Sequence, residues 1–178
     1  MALGMTLAGQ AAWGPLMDLA TLTTAHTAIS IVAILTGIIV VAGLFKAVAD
    51  GFWTTIFLAT AILTSATGFL FPFNGVLPSH IVAVIALVVL ALTLLARYGF
   101  GMDGPGRWVY ASGIVFSLYF LVFVGIAQAF AKIPALRAAA PTQSELPFAL
   151  TEGLTLVIFV ALAIAASRSF RPEPARAT

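Results

Sequence analysis

Long apolar runs dominate the chain, and short polar segments that contain Gly or Pro separate them. Each run can cross a hydrocarbon core of about 30 Å as an α-helix rising about 1.5 Å per residue. Because lipid offers no hydrogen-bond partners to the backbone, spanning segments of this kind must be helical. The five runs are residues 22–45, 52–71, 79–95, 108–131 and 148–166. The pattern predicts an all-α integral membrane bundle of five transmembrane helices.

The composition agrees with this prediction. The chain is 62% hydrophobic and 8% charged, whereas soluble domains carry about 25% charged residues. We therefore expect most of the protein surface to contact the lipid bilayer. The chain has no cysteine, which excludes disulfides, thiolate metal sites and iron–sulfur clusters. The net charge of +2 comes without a basic stripe, which argues against nucleic-acid binding.

The basic residues between the runs predict the orientation. Cytoplasmic loops carry the excess of Lys and Arg, and an outside N-terminus and inside C-terminus place six of the eight basic residues on the cytoplasmic side. Those six are Lys46, Arg97, Arg107, Arg168, Arg171 and Arg176, against Lys132 and Arg137 outside. We accordingly divide the chain into an N-terminal interfacial segment (1–21), a transmembrane domain (22–168) and a disordered cytoplasmic tail (169–178).

A weak internal repeat relates the first two runs to the next two. In each pair a histidine is followed by a basic residue, a tryptophan and a carboxamide at similar spacings. The residues are His26, Lys46, Trp53 and Asn74 in one pair, and His80, Arg97, Trp108 and Gln128 in the other. The order is consistent with a parallel repeat of two helical hairpins, and chance is the alternative.

Three ionisable residues, His26, His80 and Glu152, start the three helices whose N-termini face outside. The positive end of a helix disfavours an imidazolium and favours a carboxylate. Neutral imidazoles are ligands of haem iron, copper and zinc. The two histidines are therefore candidate ligands of haem b, or, with Glu152, of a divalent metal ion. Taken singly, each also has a structural explanation as a snorkelling or dipole-complementing residue.

Other polar residues are candidate supports of this site. The loop between the fourth and fifth runs is positioned to cover the outer face. The candidates for hydrogen bonding to the ligands are Asn74, Gln128, Ser30, Gln143 and Glu145. No phosphate-binding loop, nucleophile elbow or HExxH metal motif occurs in the sequence.

Two segments, "GFLFPFNGVLPSHIVAVIALVVLALTLLARY" (68–98) and "KIPALRAAAPTQSELPF" (132–148), resemble a family of small bacterial multi-helix inner-membrane proteins. With the first helix, the likeness covers residues 24–168. The resemblance implies a bacterial inner membrane, and it transfers no catalytic residues.

Three functional hypotheses follow. The first is a membrane protein that binds haem or a metal ion on its periplasmic side in a redox role. The second is a non-catalytic accessory or assembly subunit, with a membrane-protein partner or a second copy of the chain, which small-residue helix faces would also suit. The third is a small-molecule transporter, the weakest of the three because the spans carry no charge at mid-membrane and no break.

Overall fold

A computed structural model describes residues 18–71 and 78–171. The described chain is helical, and five of its helices are long and apolar enough to cross a membrane. The all-α bundle of five spans predicted from the sequence is confirmed. The helices are α1 (Leu19–Leu44), α2 (Gly51–Thr67), α3 (Pro78–Leu94), α4 (Gly106–Lys132), the short α5 (Pro134–Ala139) and α6 (Leu146–Ser169).

The ends of the spans differ from the apolar runs for local reasons. Asp18 accepts a hydrogen bond from the backbone N–H of Thr21 and begins α1 three residues before the run. Hydrogen bonds from Thr21 also lower the pKa of the Asp18 carboxyl. Asp50 caps α2 through the N–H of Trp53 in the same way. Such carboxylate caps satisfy N–H groups that have no partner within the helix.

Two spans end in altered helical turns, and one helix was not predicted. A 3₁₀ turn, Gly68–Leu70, extends α2, and a π turn, Leu95–Gly99, extends α3. The short helix α5 lies in the long loop before α6. It begins at a proline, which suits the first position of a helix because its missing N–H is not needed there.

Helix α4 is the centre of the bundle. Eleven of its residues are buried, and it packs against α1, α3 and α6. Close approach depends on small residues: a Cβ added at Gly37 of α1 would lie 2.7 Å from the Phe57 ring, and one at Gly113 of α4 would lie 3.2 Å from the Thr93 Cβ. In lipid, such small residues allow the van der Waals packing that holds helices together.

We call the end of the bundle where α1 begins the outer end and the opposite end the inner end, following the predicted orientation. An interfacial segment was predicted for residues 1–21, and residues 1–17 of it lie outside the described part of the chain. At the inner end, Ser169 still belongs to α6, and Phe170 is fully buried beside the Tyr110 ring. Of the residues assigned to a disordered tail, Ser169 is thus helical and Phe170 is packed, and residues 172–178 lie outside the described part.

The helix lengths do not follow the proposed repeat. The first hairpin joins helices of 26 and 17 residues, and the second joins helices of 17 and 27 residues. His26 is the eighth residue of α1, whereas His80 is the third residue of α3. The described helices therefore differ in length between the two hairpins, and the repeat stays a prediction.

Candidate functional site

His26 is held by the end of α2. Its Nδ1 lies 2.8 Å from the Thr67 hydroxyl, and its ring meets the Phe71 ring edge-on at 5.2 Å. The Thr67 hydroxyl donates its own hydrogen to the Leu63 carbonyl at 2.7 Å. It therefore accepts from His26, so that Nδ1 carries the hydrogen and a neutral ring keeps its lone pair on Nε2.

The surroundings of His26 are partly polar. The Ser30 hydroxyl donates to the His26 carbonyl at 2.7 Å and lies 3.5 Å from the Thr64 hydroxyl. Lys132 ends α4 at the same end of the bundle. The half-buried imidazole is oriented from one side by Thr67.

His80 contacts the same connection that holds His26. Its ring centroid lies 5.7 Å from that of Phe69, in the turn that follows α2. We call residues 67–71 the aromatic turn, because Phe69 and Phe71 flank it. Two imidazoles from α1 and α3 therefore contact one short segment at the outer end of the bundle.

The three predicted ligands do not form a metal-binding group in the described residues. Within residues 18–71 and 78–171, no three His, Asp or Glu side chains are gathered closely enough to hold a metal ion. The structure therefore does not assemble His26, His80 and Glu152 into the two-histidine, one-carboxylate site that the sequence suggested. Glu152 is one of the few buried residues of α6.

The position of Glu152 also differs from the prediction. Helix α6 begins at Leu146, so Glu152 lies about 9 Å along the axis rather than in the first turn. Likewise, His26 lies about 10 Å from the start of α1. The Glu152 side chain is 8% exposed, and both carboxyl oxygens are buried without a hydrogen-bond partner in the described residues.

The predicted supporting residues have mostly structural contacts. Gln143 donates from its amide to the Ala127 carbonyl at 2.6 Å. Glu145 accepts from the Thr142 hydroxyl at 2.8 Å and from the Ser144 N–H at 3.1 Å, which closes the loop before α6. Gln128 is exposed. Asn74 lies outside the described residues.

A polar network at the inner end was missed by the sequence interpretation. Arg97 donates to the Tyr110 hydroxyl at 2.9 Å, and that hydroxyl lies 3.5 Å from the Thr54 hydroxyl. Arg107 donates to the Phe170 carbonyl at 2.9 Å. The network ties the inner ends of α2, α3, α4 and α6 together. The one available signal was a tyrosine at the inner end of an apolar run.

No family model, curated protein or solved structure matches the chain. The function is therefore inferred from the side chains described above.

Proposed function

We propose that the protein binds haem b at the outer end of its bundle, in a redox role, with His26 as an axial ligand and His80 as the second. The observation that carries the proposal is the fixed orientation of His26. Imidazoles that ligate metals donate their other ring N–H to a neighbouring acceptor, which fixes the tautomer. The Thr67 hydroxyl takes this part for His26, and Nε2 remains available to iron.

The surroundings favour haem over a bare metal ion. A divalent metal needs three or four protein ligands, and the described residues offer no group of three. Haem needs only one or two axial side chains. The aromatic turn supplies phenylalanine rings beside both imidazoles. Lys132, the last residue of α4, supplies a positive charge at the same end of the bundle, which suits a propionate.

Titration of the detergent-purified protein with ferric haem tests the proposal. We expect a Soret band that saturates at one haem per chain and is lost in His26→Ala. Thr67→Val keeps the side-chain shape but removes the acceptor, so we expect haem affinity to fall roughly tenfold or more. His80→Ala should leave haem bound through one imidazole, with the spectrum changed from two-imidazole to one-imidazole ligation.

The matched control is Thr55→Val, which makes the Thr67 change at an exposed threonine near the inner end of α2 and should leave the titration unchanged. A folded wild-type protein that gives no Soret band at saturating haem would refute the proposal. Equal binding by wild type and His26→Ala would refute the assignment of the ligand.

The accessory-subunit hypothesis is the second candidate, and α6 favours it. Only Glu152, Ala163 and Ala166 of its 24 residues are buried, and 14 are exposed, so more than half of the helix is available to lipid or to another protein. Co-purification of a partner in fixed ratio under mild detergent, reduced by leucine-to-alanine changes on α6, would support this candidate. A monodisperse monomer under the same conditions would argue against it.

A further inference from the structure

A groove between α4 and α6 opens to the surface in the inner half of the bundle and has a volume of about 490 Å³. Trp108, Ser167 and Arg168 line its inner end, and Phe116, Val160 and Ile164 line the part nearer the middle of the bundle. The groove therefore has a polar mouth at one end and an apolar wall along the rest.

The groove has the direction and length of a lipid chain. Trp108 and Phe116 are eight residues apart on α4, and Val160 and Arg168 are eight residues apart on α6. Eight residues of helix correspond to about 12 Å, whereas one leaflet contributes about half of the ~30 Å hydrocarbon core. Because both helices cross the membrane, the groove follows most of the inner leaflet.

The charge at the mouth is positive. Among the described residues, the inner end carries five basic and two acidic side chains. They are Lys46, Arg97, Arg107, Arg168 and Arg171, against Asp50 and Asp103. The Asp50 carboxylate accepts a hydrogen bond from the Trp53 N–H and caps α2. The guanidinium carbon of Arg107 lies 5.5 Å from the centre of the Trp108 ring. Because Trp108 lines the mouth of the groove, a second guanidinium is present there in addition to that of Arg168.

We propose that this groove binds an anionic phospholipid of the inner leaflet. One acyl chain lies along Phe116, Val160 and Ile164. The phosphate lies at Arg168, where the Ser167 hydroxyl and the Trp108 indole N–H are further donors. Basic pockets between spanning helices on the cytoplasmic side are typical sites of anionic lipid headgroups, and tryptophan is typical of the level at which headgroups begin.

Quenching of Trp108 fluorescence by brominated lipids tests the proposal. The chain has three tryptophans, so Trp13→Phe and Trp53→Phe leave Trp108 as the only emitter. The purified protein is titrated in mild detergent with phosphatidylglycerol or phosphatidylcholine carrying bromine on the acyl chain. We expect phosphatidylglycerol to reach half-maximal quenching at a concentration roughly fivefold lower, the contribution of about one basic residue at a membrane surface.

Variants separate the groove from general surface charge. Arg168→Gln should remove the preference for phosphatidylglycerol, and Arg168→Lys should retain most of it. Lys46→Gln makes the same change of charge on the α1–α2 connection and should leave the preference intact. An equal loss in Lys46→Gln and Arg168→Gln would overturn the assignment. Equal quenching by the two lipids would also overturn the assignment. So would the absence of quenching by either lipid, which is the result expected if another protein covers the groove.

Discussion

Replacement of Glu152 by leucine should stabilise the protein. Both carboxyl oxygens are buried without a partner in the described residues, and the side chain is 8% exposed. A buried polar group left unsatisfied costs about 1–3 kcal/mol. Leucine removes that polar group and places an apolar side chain of comparable size against α4. We therefore expect the free energy of unfolding to rise by about 1–3 kcal/mol.

Reversible unfolding in mixed micelles, with increasing mole fraction of a denaturing detergent and helicity as the signal, measures this change. Glu152→Gln is the matched control, because it keeps the shape and a buried polar group. We expect its free energy of unfolding to stay close to that of the wild type. If the free energy of unfolding rises in Glu152→Leu but not in Glu152→Gln, the destabilisation in the wild type comes from the unsatisfied polar group rather than from side-chain size.

A loss of stability in Glu152→Leu would refute the reasoning. It would mean that the carboxyl is satisfied in the membrane, by a bound ion, a bound ligand or another chain. If the expected gain is found, the carboxyl is kept at a cost to stability. Ionisable residues within spanning helices commonly mark functional sites, and functional groups are often retained at the expense of stability.

Three further changes test other parts of the structure. Gly113→Val should destabilise the bundle by about 1–3 kcal/mol in the same unfolding assay, because the added atoms meet Thr93 of α3; a neutral result would show that α3 is not packed closely there. Tyr110→Phe should lower the free energy of unfolding by about 1.5–3 kcal/mol, because it removes the hydroxyl that accepts a hydrogen bond from the charged Arg97 side chain. An unchanged free energy of unfolding would contradict this. Burial acts to raise the pKa of Glu145, but the hydrogen bonds from its loop outweigh it and hold the pKa below 4.5. The loop should therefore be fully stabilised above that pH and lose this contribution as the pH falls through the lowered pKa. We expect the amide protection factors of residues 142–145, the intrinsic exchange rate at each pH divided by the observed rate, to fall on acidification; protection factors that stay constant or rise would contradict the assignment.

Hydropathy predicted the spans well because lipid imposes one requirement on every residue of a run. The apolar runs located all five spans, and α1 and α6 each begin only a few residues before the corresponding run. The extensions depend on single polar contacts, such as the Asp18 cap, which average hydropathy does not register. The short α5 was missed because it lies in a loop where no apolar pattern applies.

The candidate site was predicted less completely, because residue order does not determine which way a side chain faces. Counting from the run boundaries placed Glu152 in the first turn beside the histidines. The structure instead buries it on the face of α6 that packs on the bundle. The contact of His26 with Thr67 joins residues 41 positions apart, and the contact of Arg97 with Tyr110 depends on how α3 meets α4. Both follow from tertiary packing, which a single sequence reveals only in part.

The central place of α4 has a consequence for biosynthesis. Helices α1 and α2 pack extensively on each other, so this hairpin can form as soon as both have left the ribosome and entered the membrane. Helix α3 packs more on α4 than on α2, and it must wait in the bilayer until residues 106–132 have been translated and inserted. A nascent chain truncated before α4 should therefore leave its third span unassembled and open to membrane proteases, whereas one truncated after α4 should resist them.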